Sequence, residues 1–138
     1  MTTRFYTHAA CLDHDTGPHH PERIARLEAV LAAMDDPAFA ALERHEAPRV
    51  ALDRLALVHP EGYVDAVLAA SPASGHVHLD PDTVMSPGSA EAALRAAGAV
   101  VDAVDAVVTG KAHNAFCAVR PPGHHAEPDH AMGFCFFN

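Results

Sequence analysis

A chain of 138 residues, 49% hydrophobic and 20% charged, has the length and make-up of a single soluble globular domain with its own core. A net charge of −9 argues against a duplex nucleic-acid binder, and no apolar run approaches the roughly 20 residues that a membrane helix needs. Cys11, Cys117 and Cys135 are odd in number and far apart, with no CxxC, which fits buried thiols in a reducing, cytoplasmic setting better than a disulfide framework.

The N-terminus passes straight into a β-rich pattern with no secretory apolar region, and Arg4-Phe5-Tyr6-Thr7 reads as a first short strand. His8 to His20 is polar, carries Gly17-Pro18 and reads as a loop. Pro21 suits the first position of a helix in which Ile24, Leu27, Leu31 and Met34 recur at helical spacing, ended by Asp35-Asp36-Pro37. Residues 38 to 50 are ambiguous, and Leu52 to Val58 reads as two helical turns. A helix from Pro60 has Val64, Val67 and Leu68 as its apolar face and closes at Ser71-Pro72. Ser71 to Gly88 reads as a long connection, and connections of that length are usually functional or disordered. The clearest helix spans about Ser89 to Thr109, with Ser89 as its cap and Leu94, Ala97, Val101, Val104 and Val108 as its buried stripe. Gly110 ends it. Ala115-Phe116-Cys117-Ala118-Val119 is apolar on both faces, as a buried parallel strand would be. Helix, short turn, buried strand and glycine-bearing loop together give the rhythm of an open α/β sheet.

Histidine is over-used, with twelve in the chain, clustered at His8, His14, His19 and His20 and again at His113, His124, His125 and His130. The second cluster sits in Arg120-Pro-Pro-Gly-His-His-Ala, directly after the strand, where open α/β sheets bind ligands. Two prolines stiffen the backbone and Gly123 permits a bend, so His124 and His125 can share one site. Adjacent imidazoles couple electrostatically, which allows one to work as base and the other as acid or as a charged partner. The following Gly133-Phe134-Cys135-Phe136-Phe137 adds aromatic bulk. Phe136 and Phe137 are expected in the core.

Arg120-Pro-Pro-Gly-His-His-Ala followed by Gly133-Phe-Cys-Phe-Phe-Asn resembles the histidine-pair motif of the histone deacetylase and acetylpolyamine amidohydrolase superfamily, especially its class II-like bacterial members. His14, His19, Pro21, Glu22 and Arg23, then Leu57-Val58-His59 with Tyr63-Val64, then Asp80-Pro-Asp-Thr83 through Ser86-Pro-Gly-Ser89, are similar to further family segments in the same order. The resemblance implies a three-layer open parallel sheet of the arginase/deacetylase type, of which these residues are the N-terminal part. It implies that His125 is the general base and acid and that His124 is the partner that stays charged or steadies the oxyanion. The Gly133 carbonyl would accept the substrate amide N–H, Phe134 would wall the acyl-lysine tunnel, Asp80 (with Asp82 as second choice) would bind substrate at the rim, and Arg23 would stand near an inner cavity. The family's zinc is held by an Asp-x-His pair and a later Asp that follow this motif, so Zn2+ is expected for the complete domain and no metal ligand within this chain.

The first functional reading is metal-assisted hydrolysis of an acylated lysine or acylated polyamine by the complete domain, with the acidic surface drawing in the cationic substrate. It involves no direct nucleic-acid or membrane contact, and homo-oligomers are possible. The second is a non-catalytic remnant or acyl-lysine binder. The third is a metal-binding protein that uses His14, His19 and His20 with His124 and His125.

Overall fold

The computed structural model describes residues 1–138. The sheet has three strands, β1 (Thr3–Thr7), β2 (Glu43–Glu46) and β5 (Asn114–Cys117), in the order β2-β1-β5 and all parallel. β1 is central, with Phe5 opposite Arg44 on one side and Phe116 on the other. Successive strand residues point to opposite faces. Phe5 therefore packs with Cys11, Leu27 and Ala118 on the side of helix α1 (Ile24–Met34). Its neighbour Tyr6 packs with Ala47, Ala99 and Ala103 on the side of helix α4 (Ser89–Val108). Helix, sheet and helix are the three layers expected.

A third apolar cluster lies beside the sheet. Val50, Leu55, Val64, Val67, Met85, Leu94, Phe136 and Phe137 join α2 (Leu52–Leu55), α3 (Glu61–Ala69) and α4 to the segment after the histidine pair. Phe136 and Phe137 are buried, as expected. No helix is long and apolar enough to cross a membrane.

Several local expectations are corrected. The first helix begins at Ile24, with Arg23 at the capping position, so Pro21 lies before it. The proposed two turns from Leu52 are one. The ambiguous stretch holds β2, whose Glu-Arg-His-Glu sequence has no apolar residue; it is a strand because β1 pairs with it, while Tyr6 stacks on His45 and Arg44 sits over Phe5. The long connection holds an antiparallel hairpin, β3 (Val77–Asp80) and β4 (Thr83–Met85). Gly88, not Ser89, takes the capping position of α4, and the Ser89 hydroxyl turns inward to the Ser86 N–H and the His14 ring.

The buried face of α4 also differs. Leu94 is buried and Ala97 and Val101 pack against the core, as expected, but Val104 and Val108 are exposed, and Ala92, Ala96, Ala99, Ala103 and Ala106 also face inward. Small residues win that face because the helix runs hard against the preceding chain; a side chain at Gly98 would collide with the Pro48 carbonyl. β5 likewise is not covered on both faces, since it lies at the sheet edge and Phe116 is 47% exposed.

Candidate functional site

β5 hands the chain to the site through Arg120. Its guanidinium is buried, and four of its five N–H donors are engaged. Nε and Nη2 donate to the two Glu22 carboxylate oxygens, both at 2.7 Å, and Nη1 donates to the carbonyls of Cys11 (3.0 Å) and His14 (2.8 Å). A planar five-donor fork suits that task and an ammonium would not. The strand end, the first loop and the entry to α1 are thereby joined at one point.

Beyond Arg120 the chain bends. The Ala126 N–H donates to the Gly123 carbonyl at 3.0 Å, closing a turn whose two corners are His124 and His125. The rings lie 4.2 Å apart between centroids, tilted by 53°. Gly123 has no room for a Cβ because the Phe137 carbonyl lies against it, which explains the residue as well as flexibility does. The His125 N–H points at the Cys135 sulfur, 3.4 Å away.

A second turn stands opposite. The Cys135 N–H donates to the Met132 carbonyl at 2.9 Å, with Gly133 (φ 57°) and Phe134 (φ 72°) both left-handed at its centre. Glycine adopts that conformation freely and phenylalanine does not, so Phe134 is strained. It is held by its N–H, which donates to the Thr83 hydroxyl at 3.1 Å, and by the edge-to-face His20 ring at 4.7 Å. A Cβ on Gly133 would stand 2.8 Å from the His125 Cβ, so the two turns touch. Burial pushes the Cys135 thiol up, keeping it a donor, and its hydrogen is offered to the Gly133 carbonyl at 3.3 Å.

His124, His125, Gly133 and Phe134 line one cleft of about 650 Å³, together with Phe116, Leu27, Val30, Glu22, Arg26 and Arg120. The structure therefore unites four of the six residues singled out from sequence. Asp80 is not among the lining residues; its carboxylate accepts the Asp82 N–H at 2.9 Å inside the hairpin, and that bond holds it below the usual carboxylate range. Asp82 reaches the site by its backbone, where its carbonyl meets His20 Nε2 at 3.0 Å. Arg23 does not line this cleft. It is exposed beside α1, and its neighbours Glu22 and Arg26 line the cleft instead, because the helix starts one turn later than a Pro21 start would put it.

The first histidine cluster does not join the second. His14 is buried with Nδ1 2.7 Å from the Ser89 hydroxyl, and burial first, then the Arg120 charge, push it down to about 3. His20 braces Phe134, and His19 is exposed. No three His, Cys, Asp or Glu side chains come together to hold a metal ion. The metal-binding reading built on His14, His19, His20, His124 and His125 thus fails, and the residues of this chain do not by themselves make a zinc site.

Sequence reasoning passed over Glu22, Thr83 and Cys135 as parts of the site. A buried Glu22 had one available signal, the lone Arg120 at the end of an apolar strand, since a buried charge demands a partner. Thr83 and Cys135 carried none.

Three layers around a parallel sheet, with a paired-imidazole turn beyond a strand's carboxyl end and an aromatic wall facing it, define an α/β protein with a cleft at the carboxyl edge of its sheet. The chain belongs to the histone deacetylase family: residues 20–138 match the histone deacetylase domain. It is 37% identical to a histone deacetylase-like amidohydrolase of Pseudomonas aeruginosa, over 98% of this chain and 40% of that protein. It is 36% identical to a probable deacetylase of Archaeoglobus fulgidus, over 100% of this chain and 39% of that protein. The crystal structure of the HDA15 HD domain superposes with a TM-score of 0.93 at 34% identity, covering 99% of this chain and 40% of that one. The chain thus spans about two fifths of the length of these relatives.

Proposed function

We propose that the domain to which these residues belong hydrolyses the amide of an acylated amine, either the side chain of an acyl-lysine or an acylated polyamine. The observation that carries this reading is the pair of imidazoles on one turn, facing the Phe134 wall across a single cleft. An aliphatic acylated amine fits an aromatic wall, and the amide at its end would reach the rings. His125 takes a proton from the attacking water and returns it to the departing amine. His124, on the adjacent corner, steadies the negative oxygen of the tetrahedral intermediate. A base positioned this way contributes on the order of 10²- to 10⁴-fold.

Gly133 is the partner for the substrate amide N–H. Its carbonyl has only the weak Cys135 thiol as an internal partner and retains a lone pair. The zinc implied by the family finds no ligand set among these residues. The chain's net charge of −9 favours approach of a cationic lysine peptide or polyamine.

Acetate release from an acetyl-lysine peptide and from an N-acetylated diamine, measured with a domain extended to the relatives' length, tests the reading. His125→Ala should lower the rate by at least about 10²-fold while the melting temperature stays close to that of the parent. Turnover at the parental rate in that variant would refute the role given to His125.

A further inference from the structure

The corner between α2 and α3 holds a buried imidazole outside the cleft. His59 is 1% exposed, and both ring nitrogens are engaged with backbone. Nδ1 lies 2.9 Å from the Pro128 carbonyl, and the Asn138 N–H lies 2.9 Å from Nε2. A carbonyl only accepts and an amide N–H only donates, so the ring gives its hydrogen from Nδ1 and receives at Nε2. Pro128 follows the histidine turn, and Asn138 follows Phe137. One ring therefore grips both ends of the loop that carries Gly133 and Phe134. One turn along, the Tyr63 hydroxyl donates to the Phe136 carbonyl at 2.6 Å, and Asn138 Nδ2 donates to the Ala126 carbonyl at 3.2 Å.

We propose that His59 is a positioning residue of the histidine-pair site, setting the separation between the His124–His125 turn and the Phe134 wall by clasping the loop that joins them. This rests on the reading of that turn as the reacting centre. His59 is not a catalytic residue. It lies outside the cleft, and its two bonds are spent on holding backbone.

The test uses the 138-residue chain with its histidine rings labelled for NMR. His59→Leu removes both grips. His59→Gln places a side-chain oxygen near the Nε2 position and so keeps an acceptor for the Asn138 N–H while leaving the Pro128 carbonyl without its donor. In a folded His59→Leu chain, the Asn138 amide should exchange about tenfold faster, the loss expected for one hydrogen bond of roughly 1 to 1.5 kcal/mol, and the His125 ring resonances should shift or broaden. In His59→Gln the Asn138 protection should return while the His125 resonances stay displaced. Where His59→Leu fails to fold, His59→Gln alone decides the matter. A folded variant with His125 resonances at parental positions overturns the proposal, because a residue that merely stabilises the fold would lower the melting temperature and leave them unmoved. The outcome is independent of turnover. Displaced resonances in a protein that cleaves no acylated amine would retain the clasp and refute the function, whereas cleavage with unmoved resonances would do the reverse.

Discussion

Arg120 and Glu22 meet fork to fork, with two N···O distances of 2.7 Å and each residue about 3% exposed. The pair joins the end of β5 to the entry of α1, and the two remaining acceptors of the guanidinium are main-chain carbonyls of the first loop. The histidine turn starts from this fixed point.

Breaking this pair from one side should be costly. Glu22→Gln or Arg120→Met removes the fork-to-fork pair and leaves Arg120 with its two carbonyls, or Glu22 with only the longer contacts to Arg26 and the His14 ring, each at 3.8 Å, a loss of about 3 to 5 kcal/mol for buried pairs of this kind. Urea denaturation of each variant measures it. A change below about 1 kcal/mol in either would show that water reaches the remaining charge and that the pair is not the anchor.

His14 should make stability depend on pH. Its ring titrates near 6.5 in the unfolded chain and is pushed down to about 3 in the fold, chiefly by burial and then by Arg120. Between those values the unfolded state binds a proton that the folded state refuses. The contribution is therefore whole above pH 6.5 and is lost as the pH falls toward 3, with a slope of up to about 1.4 kcal/mol per pH unit for one proton. His14→Gln removes that titration, so its stability between pH 6 and 4 should fall less steeply than that of the parent. Parallel pH curves would contradict the burial assigned to this ring.

Gly98→Ala should destabilise the protein even though alanine is the better helix former by about 1 kcal/mol. The new methyl would meet the Pro48 carbonyl and the Val50 backbone nitrogen, and neither can move without displacing the chain that seats α4. Thermal melts give the sign directly. A raised melting temperature would mean that the contact between helix and loop is loose.

The strain at Phe134 is separable from its role as a wall. Phe134→Gly and Phe134→Ala both remove the ring, but only glycine takes φ near +72° without cost, so the glycine variant should be the more stable of the two by about 1 kcal/mol. Both should lose affinity for an acetyl-lysine amide, followed by the resonances of His125. Equal stabilities would imply that the turn relaxes once the ring is gone.

The parts legible from sequence were those whose neighbours in the chain are also their determinants. The helical spacing of Ile24, Leu27, Leu31 and Met34 in α1, the β-rich start of β1 and the stiff turn after β5 are local patterns, and the motif from Arg120 to Asn138 carried the histidine pair and Phe134 with it. β2 was not legible, because nothing in Glu-Arg-His-Glu favours a strand except β1 beside it. The hairpin from Val77 to Met85 was hidden within what read as a long connection. The buried face of α4 is legible only in part: Leu94 lies in the core, but Val104 and Val108 are exposed, because close approach to Pro48 selects alanine and glycine over valine. Arg23 and Asp80 were assigned by likeness of motif, and each lies close in sequence to a residue that does face the cleft or touch its wall: Glu22 beside Arg23, and Thr83 three positions after Asp80.

The middle position of β1 has a consequence for synthesis. Thr3 leaves the ribosome long before its partner Asn114. Until then the strand has one open flank, and only β2 can occupy the other. Sheet assembly must therefore wait for distant segments, and pairings so remote in sequence are slow to form and leave the nascent strand in need of protection.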